Sequence, residues 1–280
     1  MAAGTASRFV PLSAEIPKGL LEVKGEILIE RQIRQLKEAG VEEITIVVGY
    51  KAEMFQYLKS LYGVDIVNNE DYYKYNNTSS IIRVVDRLSN TYICSSDNYF
   101  PNNVFLEEST SSYYSALYAD GFTNEYCLTI DAKDNITRVQ VGGTDSWYMV
   151  GHVYFASDFS AAFSKLLISE YDKEETRQGY WEDVYLRNIG QLPLMKIHRY
   201  KIHDIEEFDS IDELRLFDVS YIHDTRSSVI KSIASQLRCL ESDLNSFTGI
   251  RHDGKYLLFT FKKGEEIYQY SQLENKVTKI

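Results

Sequence analysis

The first eighteen residues, MAAGTASRFVPLSAEIPK, contain residue types that bind phosphate groups. Small side chains around Gly4 let backbone N–H groups come close to an anion. Arg8 offers a planar guanidinium group and Lys18 a second cation, while Pro11 and Pro17 stiffen the chain between them. This order predicts a loop that holds the phosphates of a nucleotide. An ordinary surface loop is the alternative that spacing alone leaves open.

Two aspartates stand where an α/β fold places its ligands. Asp97 closely follows the apolar residues 91–95, and Asp209 follows a second extended segment. Ligands of α/β sheets bind beyond the carboxyl ends of the strands. A carboxylate there suits Mg²⁺, which prefers oxygen ligands and bridges phosphates. Taken singly, Asp97 could equally form a turn and Asp209 could belong to an acidic surface.

The elements that position these residues alternate between helix and strand in the first part of the chain. Residues 28–39 have apolar side chains at helical spacing, and Gly40 supplies a stop signal. Strands are predicted at 43–49, 64–68 and 91–95, and helices at 53–62 and 81–88. The alternation predicts an α/β fold with a Rossmann-like, mostly parallel sheet flanked by helices.

The later residues predict an antiparallel extension of this sheet and a small α+β appendage. Strands are predicted at 113–118, 126–130, 136–141, 148–155 and 195–201, and helices at 160–171, 180–189 and 211–217. The tail has a polar helix and two strands, 256–262 and 266–271, joined by Lys263 and Gly264. We therefore predict a main domain at 1–219 and an accessory module at 220–280, through which the chain could form a homo-oligomer.

The composition limits the class of partner. With 280 residues, of which 44% are hydrophobic, the chain can bury a substantial core. A net charge of −11 argues against nucleic acid or an anionic membrane surface as a partner. The widely spaced Cys94, Cys127 and Cys239 predict neither a disulfide framework nor a zinc site. These features predict a cytoplasmic enzyme that acts on small molecules.

The opening loop is similar to the signature L-A-A-G-x-G-x-R, P-x-T and P-K of the nucleotidyltransferases that make nucleotide sugars and nucleotide alcohols. The matching residues are Ala2, Ala3, Gly4, Ser7, Arg8, Pro11, Leu12, Pro17 and Lys18. Ala6 stands where this family usually has a second glycine, and Ser13 where it often has threonine. The methyl group of Ala6 is tolerable if φ is negative there, but it would hinder a phosphate if the backbone needs a positive φ.

Further segments narrow the resemblance to the bacterial CTP:phosphocholine cytidylyltransferases. They are Val47-Val48-Gly49-Tyr50, Tyr75-Asn76-Asn77, Ser96-Asp97-Asn98-Tyr99, Thr123-Asn124-Glu125-Tyr126, Tyr180-Trp181-Glu182-Asp183 and Glu207-Phe208-Asp209-Ser210. Where these relatives often show Asp-x-Asp-Asn, this chain has Ser95-Ser96-Asp97-Asn98, so one carboxylate of the pair is absent.

The resemblance implies a Mg²⁺-dependent enzyme that joins CTP and phosphocholine to give CDP-choline and pyrophosphate by in-line attack. Arg8 would hold the departing phosphates, and Lys18 would bridge the α-phosphate and the incoming phosphate. The residues implied to contact the nucleotide are Ala2, Ala3, Gly4, Thr5, Asn76, Asn77, Ser79 and Asp97, with Mg²⁺ held by Asp97 and Asp209. The amides of Asn76 and Asn77 can match the edge of cytosine.

The same resemblance implies a site for the choline group. A trimethylammonium group cannot donate hydrogen bonds, so aromatic faces and nearby carboxylates recognise it. The implied cage consists of Tyr126, Tyr180 and Trp181, with negative charge from Glu125, Glu182 and Asp183. Without the family pattern, an adjacent Tyr-Trp pair would be interpreted as core.

Two other functions stay open at this point. One is a nucleotidyltransferase for another acceptor, such as a sugar 1-phosphate. The other is a non-catalytic nucleotide-binding or interaction protein, which is favoured by Ala6, by Ser95 and by the short segment before the loop. With phosphocholine as acceptor, the product would serve the choline decoration of a cell-surface polymer.

The loop begins directly after the first residue of the chain, which leads to a separate expectation. The phosphate loop of such sheets follows a central strand, but only Met1 precedes Ala2. Without that strand, each backbone N–H or C=O group of its neighbours that is buried without a hydrogen-bond partner would cost about 1 to 3 kcal/mol. We therefore expect Met1 to be an internal residue of a longer chain, with a short apolar strand upstream.

Overall fold

The computed structural model describes residues 1–107, 109–252 and 257–280, which form two compact units. The first unit comprises Met1–Gly4 and Glu30–Glu207, and the second comprises Thr5–Ile29 and Phe208–Ile280. This division differs from a boundary at 219/220, because most of the loop segment packs with the C-terminal part of the chain.

The strands and helices of the described residues have the following bounds. The strands are β1 (Glu22–Val23), β2 (Glu26–Ile27), β3 (Thr45–Val48), β4 (Asp65–Asn68), β5 (Thr91–Cys94), β6 (Asn98–Tyr99), β7 (Tyr113–Ile130), β8 (Ile136–Phe155), β9 (Lys196–Arg199), β10 (Glu206–Glu207), β11 (Leu244–His252), β12 (Leu257–Lys263), β13 (Glu266–Ser271) and β14 (Lys276–Lys279). The α-helices are α1 (Leu12–Glu15), α2 (Leu28–Glu38), α3 (Tyr57–Tyr62), α4 (Thr78–Ile81), α5 (Ser157–Glu170), α6 (Glu174–Gln178), α7 (Trp181–Arg187), α8 (Ile211–Phe217) and α9 (Ser228–Leu237). Within the described ranges, none of the helices combines the length and the apolar content that crossing a bilayer requires.

Residues 1–3 connect two groups of strands in the first unit. On one side, Ala2 forms a parallel bridge with Val48 at the end of β3. On the other side, the Met1 ammonium group donates a hydrogen bond to the Cys94 carbonyl at the end of β5, at 2.5 Å. The order across these strands is β4, β3, residues 1–3, β5, β8, β7 and β9.

The pairing confirms the predicted α/β fold with an antiparallel extension. β3 and β4 are parallel, as are β7 and β9. β8 runs antiparallel to both of its neighbours, β5 and β7. The parallel part brings the ends of β3 and β5 and residues 1–3 to the same edge, where α/β sheets bind ligands.

β7 and β8 form one long antiparallel pair where the sequence predicts four short strands. β7 has 18 residues and β8 has 20. Their register shifts between Ala119 and Phe122, and Gly121, with φ of 94°, lies at that shift. Glycine adopts such a left-handed conformation without a steric penalty, and irregularities of this kind bend a strand without ending it. The turn residues of this region therefore mark bends.

Helix α2 fastens the segment that follows β5. The Gln32 side chain is buried, and its Nε2 donates to the carbonyl oxygens of Ser95 and Asn98, both at 2.8 Å. Asp97 lies between these two residues. The sequence pattern does not predict this contact, because a polar glutamine in an amphipathic helix is usually interpreted as solvent-facing.

The core of the first unit is rich in aromatic rings. Phe155 at the end of β8, Phe159 and Phe163 of α5, and Trp181 and Tyr185 of α7 are each 1% exposed or less. Their rings meet at centroid distances of 4.5 to 6.3 Å, mostly in tilted or edge-to-face arrangements. This packing fixes the start of α7 to α5 and β8.

The second unit combines residues 5–29 with α8, α9 and an antiparallel sheet of order β11, β12, β13 and β14. Alternate aromatic residues of β12 and β13 are buried: Phe259, Phe261, Tyr268 and Tyr270. The structure confirms both predicted tail strands. The predicted first residue of β12, Tyr256, lies outside the described residues, and β11 and β14 were not predicted.

Replacing Gln32 by leucine should destabilise the protein. Leucine cannot donate to the carbonyls of Ser95 and Asn98, so we expect Gln32→Leu to lower the free energy of unfolding by about 2 to 3 kcal/mol. Chemical denaturation measures the change. The matched control is Gln56→Leu, since Gln56 is exposed and donates within its own turn to Ala52. Equal effects of the two changes would contradict an anchoring role for Gln32.

Candidate functional site

The loop leaves the sheet of the first unit at Gly4. Ala2 and Ala3 are buried, and the Ala3 carbonyl accepts a hydrogen bond from the Tyr50 N–H at 3.1 Å. Gly4 is exposed, and a Cβ added to it would meet no atom within 4 Å. Backbone groups at this point therefore have open space beside them, as close approach of a phosphate requires.

Ala6 has a left-handed backbone, with φ of 47° and ψ of 48°. The Phe9 N–H donates to the Ala6 carbonyl at 2.8 Å, which closes the 3₁₀ turn Ser7–Phe9 around Arg8. This conformation costs a residue with a Cβ atom about 1 kcal/mol more than it costs glycine. Of the two backbone conformations considered for Ala6, the structure has the one with positive φ. Ala6 is therefore strained at the position where the family signature has glycine.

Arg8, Lys18 and Asp209 form one cluster in the second unit, which we term the loop ion cluster. One carboxylate oxygen of Asp209 lies 2.6 Å from Nη1 of Arg8, and the other lies 3.5 Å from Nζ of Lys18. The Lys18 side chain is 7% exposed, whereas that of Arg8 is 78% exposed. Pairing offsets the cost of burying the Lys18 ammonium group. Arg8 remains accessible to an anion from solvent.

Asp97 lies in the first unit, just beyond β5, and is partly buried. Asp97 and Asp209 each contribute a single carboxylate. Among the residues that the structure describes, no three His, Cys, Asp or Glu side chains gather into a group that could hold a metal ion. Mg²⁺ commonly binds proteins through one or two carboxylates and takes its other ligands from substrate phosphates and water. A single carboxylate, as at Asp97 or at Asp209, is thus a ligand type that such a cation accepts.

The residues predicted to contact cytosine have protein partners of their own. Ser79 is buried, donates its hydroxyl to the Asn76 carbonyl at 2.7 Å, and accepts from the Asn69 amide at 2.8 Å. The side-chain Oδ1 of Asn77 accepts from the Trp181 N–H at 2.7 Å. Asn76 is exposed, and its amide donates to the Gln178 carbonyl. Ser79 and Asn77 thus hold the segment in place, and Asn76 is the most accessible of the three.

Glu182 is the centre of an acidic-aromatic cluster in the first unit, whose members are Tyr114, Tyr126, Tyr180, Glu182 and Asp183. The carboxylate of Glu182 accepts from the Tyr114 hydroxyl at 3.1 Å and from the Asn77 amide at 3.2 Å. Burial raises the pKa of Glu182 to about 7, although these two hydrogen bonds oppose the shift. The group therefore changes its charge near neutral pH, and a cation beside it would favour the ionised form.

Asp183 adds a second carboxylate to this cluster. It accepts from the Tyr126 hydroxyl at 3.2 Å and from the Tyr180 N–H at 2.8 Å, the latter as part of the cap of α7. Burial, followed by the charge of Asp183, raises the pKa of Tyr126. The hydroxyl of Tyr126 therefore stays protonated and donates to the carboxylate.

The aromatic residues predicted for the cage have different environments. Trp181 is 1% exposed and stacks on Tyr114 with ring centroids 5.7 Å apart, so its indole belongs to the core. Tyr180 is 45% exposed and Tyr126 is partly buried, so these rings are accessible. Glu125 is exposed beside Tyr126 in β7. The tertiary structure thus brings Tyr126, Tyr180, Glu182 and Asp183 together but turns Trp181 inward.

Sequence reasoning missed Tyr114. The chain has 22 tyrosines, and no local motif distinguishes the one that reaches Glu182 from the others. The pairing depends on β7 lying beside the start of α7, which is a long-range contact. Burial and the Glu182 charge raise the pKa of Tyr114 well above its usual range, so it serves as a hydrogen-bond donor.

The comparisons with known proteins agree with this architecture. Residues 1–116 match the MobA-like NTP transferase domain. A 2-aminoethylphosphonate cytidylyltransferase from Lancefieldella rimae is 36% identical over 81% of this chain and 94% of the relative. A choline-phosphate cytidylyltransferase from Streptococcus pneumoniae is 32% identical over 77% of this chain and 93% of the relative.

A solved structure of the CTP:phosphocholine cytidylyltransferase from Streptococcus pneumoniae has the same fold. It superposes with a TM-score of 0.74 at 32% identity and covers 77% of this chain and 94% of its own. The resemblance that the motifs indicate is therefore confirmed, and so is the nucleotidyltransferase fold.

Replacing Ala6 by glycine should relieve the strain of the loop. We expect Ala6→Gly to raise the free energy of unfolding by about 1 kcal/mol, because glycine adopts a positive φ freely. The matched control is Ala14→Gly in α1, where glycine should lower stability by about 0.5 to 1 kcal/mol. Thermal and chemical denaturation measure both. A loss of stability in both variants would mean that the left-handed backbone at Ala6 is not strained.

Removing the charge of Glu182 should change how stability depends on pH. The folded-state pKa of about 7 lies above the ordinary value of 4.5, so folding favours the protonated carboxyl group. This stabilisation is present below pH 4.5 and is lost as pH rises through about 7. Glu182→Gln cannot ionise, so at pH 8 it should be more stable than the unsubstituted protein by about 1 to 3 kcal/mol.

The measurement is the difference in unfolding free energy between pH 5 and pH 8 for each protein. Glu125→Gln serves as the control, because Glu125 is exposed. A pH dependence in Glu182→Gln that equals that of the unsubstituted protein would contradict a desolvated Glu182.

Proposed function

This chain belongs to the cytidylyltransferase family of MobA-like nucleotidyltransferases, and we propose that it transfers the cytidylyl group of CTP to a small phosphonate or phosphate that carries a cationic nitrogen. The acidic-aromatic cluster is the observation that supports an acceptor of this class. It has two adjacent carboxylates, Glu182 and Asp183; Asp183 accepts from the Tyr126 hydroxyl and the Tyr180 N–H, and the side chains of Tyr126 and Tyr180 are accessible. Such a site attracts a cation and disfavours an additional negative charge.

In the proposed reaction an oxygen of the acceptor attacks the α-phosphorus of CTP in line. A new P–O bond forms, the bond to the β-phosphate breaks, and pyrophosphate leaves with the electron pair. Arg8 binds the departing phosphates through its exposed guanidinium group, and Lys18 neutralises charge at the α-phosphate. Both cations exchange part of their contact with Asp209 for contact with phosphate. The open backbone at Gly4 admits the triphosphate, and Asn76 contacts the base.

Relatives of this fold generally use a divalent metal. In this chain Asp97 and Asp209 would hold Mg²⁺, which neutralises phosphate charge when it is bound. Gln32 orients the backbone on either side of Asp97.

A primary ammonium group, as in 2-aminoethylphosphonate, suits this cluster best. It needs hydrogen-bond acceptors, which Glu182 and Asp183 provide, whereas a trimethylammonium group needs aromatic faces on several sides. The inward orientation of Trp181 leaves fewer such faces than the sequence predicts. Phosphocholine is the second candidate, favoured by the accessible rings of Tyr126 and Tyr180.

An acceptor panel tests the proposal. The full-length protein is incubated with CTP, Mg²⁺ and one of 2-aminoethylphosphonate, phosphoethanolamine, phosphocholine or glucose 1-phosphate, and pyrophosphate release is followed. We expect the cationic acceptors to exceed glucose 1-phosphate in kcat/KM by more than about tenfold, with the primary amines ahead of phosphocholine. Turnover of glucose 1-phosphate at the highest rate would overturn the acceptor class. No turnover of any acceptor would favour a non-catalytic nucleotide-binding protein.

A variant locates the acceptor site. Asp183→Asn keeps the shape of the cluster and removes one negative charge, so kcat/KM for cationic acceptors should fall about tenfold while the KM for CTP stays unchanged. The control is Asp172→Asn, since Asp172 is exposed and is not a member of the acidic-aromatic cluster. Equal losses for CTP and for the acceptor would assign Asp183 a structural role in capping α7.

A further inference from the structure

The C-terminal sheet contacts the phosphate loop directly within the second unit. Gly249 of β11 lies against the turn that carries Arg8, and a Cβ added to Gly249 would come within 3.1 Å of the Ser7 carbonyl oxygen. The same atom would lie 3.5 Å from a methyl carbon of Val10. A Cβ atom at this distance would be tighter than ordinary packing allows, so the Ser7 backbone would have to shift by about a few tenths of an ångström to admit it.

A second contact ties the end of the loop to helix α9. The Glu15 carboxylate accepts hydrogen bonds from the hydroxyls of Ser227 and Ser228, and from the Ser228 N–H at 2.8 Å. Ser228 begins α9, so the carboxylate also lies at the positive end of the helix dipole. The segment after Arg8 is thereby fixed to the accessory module at residues 220–280, which we term the C-terminal module.

A third set of contacts ties β11 to the helix that follows Asp209. The side chain of Arg215 in α8 is buried and donates to the Leu244 carbonyl at the start of β11, at 2.6 Å. Asp212, on the same helix, accepts from the Ser246 N–H at 2.7 Å. The module therefore contacts both sides of the loop ion cluster, namely the Arg8 turn and the helix next to Asp209.

We infer that the C-terminal module is a brace for the phosphate loop and that Gly249 is a positioning residue for Arg8. The inference rests on the proposed role of the loop in binding CTP. The strained Ala6 immediately before the turn gives the brace a physical purpose. A loop that holds a left-handed alanine is not in its most relaxed conformation, so neighbouring structure must keep it in place. A module of this kind would act on nucleotide binding without touching the nucleotide.

Gly249→Ala in the full-length protein tests the brace. The added methyl group should displace the Ser7 carbonyl by a few tenths of an ångström and move Arg8 with it. We expect the affinity for CTP in the presence of Mg²⁺, measured by calorimetry, to fall about three- to tenfold, while the KM for the acceptor is unchanged. The control is Gly190→Ala, because a Cβ at Gly190 would meet no atom within 4 Å. Its affinity should equal that of the unsubstituted protein.

A double-mutant cycle separates positioning from general destabilisation. If Gly249 acts through Arg8, then adding Gly249→Ala to Arg8→Ala should cost less than about twofold in CTP affinity. The same loss in both backgrounds, or unchanged affinity in Gly249→Ala alone, would overturn the inference. If Gly249→Ala does not fold, Glu15→Gln replaces it in the same cycle, with the same expected and contradicting outcomes. Failure of the unsubstituted protein to bind CTP would instead count against the proposed function.

Discussion

The second unit depends on the compensation of one buried charge. The Lys18 side chain is 7% exposed, and an ammonium group removed from water must be paired. Asp209 supplies negative charge to Lys18 and also to the exposed Arg8. Because Lys18 and Asp209 are 191 positions apart, their pairing requires a late segment of the chain to return to the loop. The C-terminal elements that pack around Asp209 are thereby tied to the loop that carries Arg8 and Lys18.

The carboxylates of the acidic-aromatic cluster in the first unit are satisfied in a different way from Asp209. Its carboxylates lack a cationic partner among the contacts described above, and tyrosine hydroxyls and an asparagine amide satisfy them only by hydrogen bonding. Burial of Glu182 without a neutralising charge raises its pKa. In the second unit one carboxylate thus pairs with two cations, whereas in the first unit hydroxyl and amide donors satisfy two neighbouring carboxylates.

The sequence predicted most elements, because their patterns are local. The apolar spacing of α2 and the β-branched run of β3 depend on near neighbours, and the structure confirms both elements. The prediction was wrong where turn residues bend a strand without ending it, as in β7 and β8. It also gave no indication of β11. These depend on what packs against each segment, which local spacing does not encode.

The sequence by itself determined the chemistry available to this protein: a phosphate loop with Arg8 and Lys18, carboxylates at Asp97 and Asp209, and the Tyr-Trp-acidic segment that marks the family. Only the tertiary structure decided how these groups are used. It set Ala6 at a positive φ, turned Trp181 into the core, added Tyr114 to Glu182, and brought Gly249 against Ser7. Residue types limit which bonds a side chain can form, but long-range packing determines which partner it meets and how far it is removed from water.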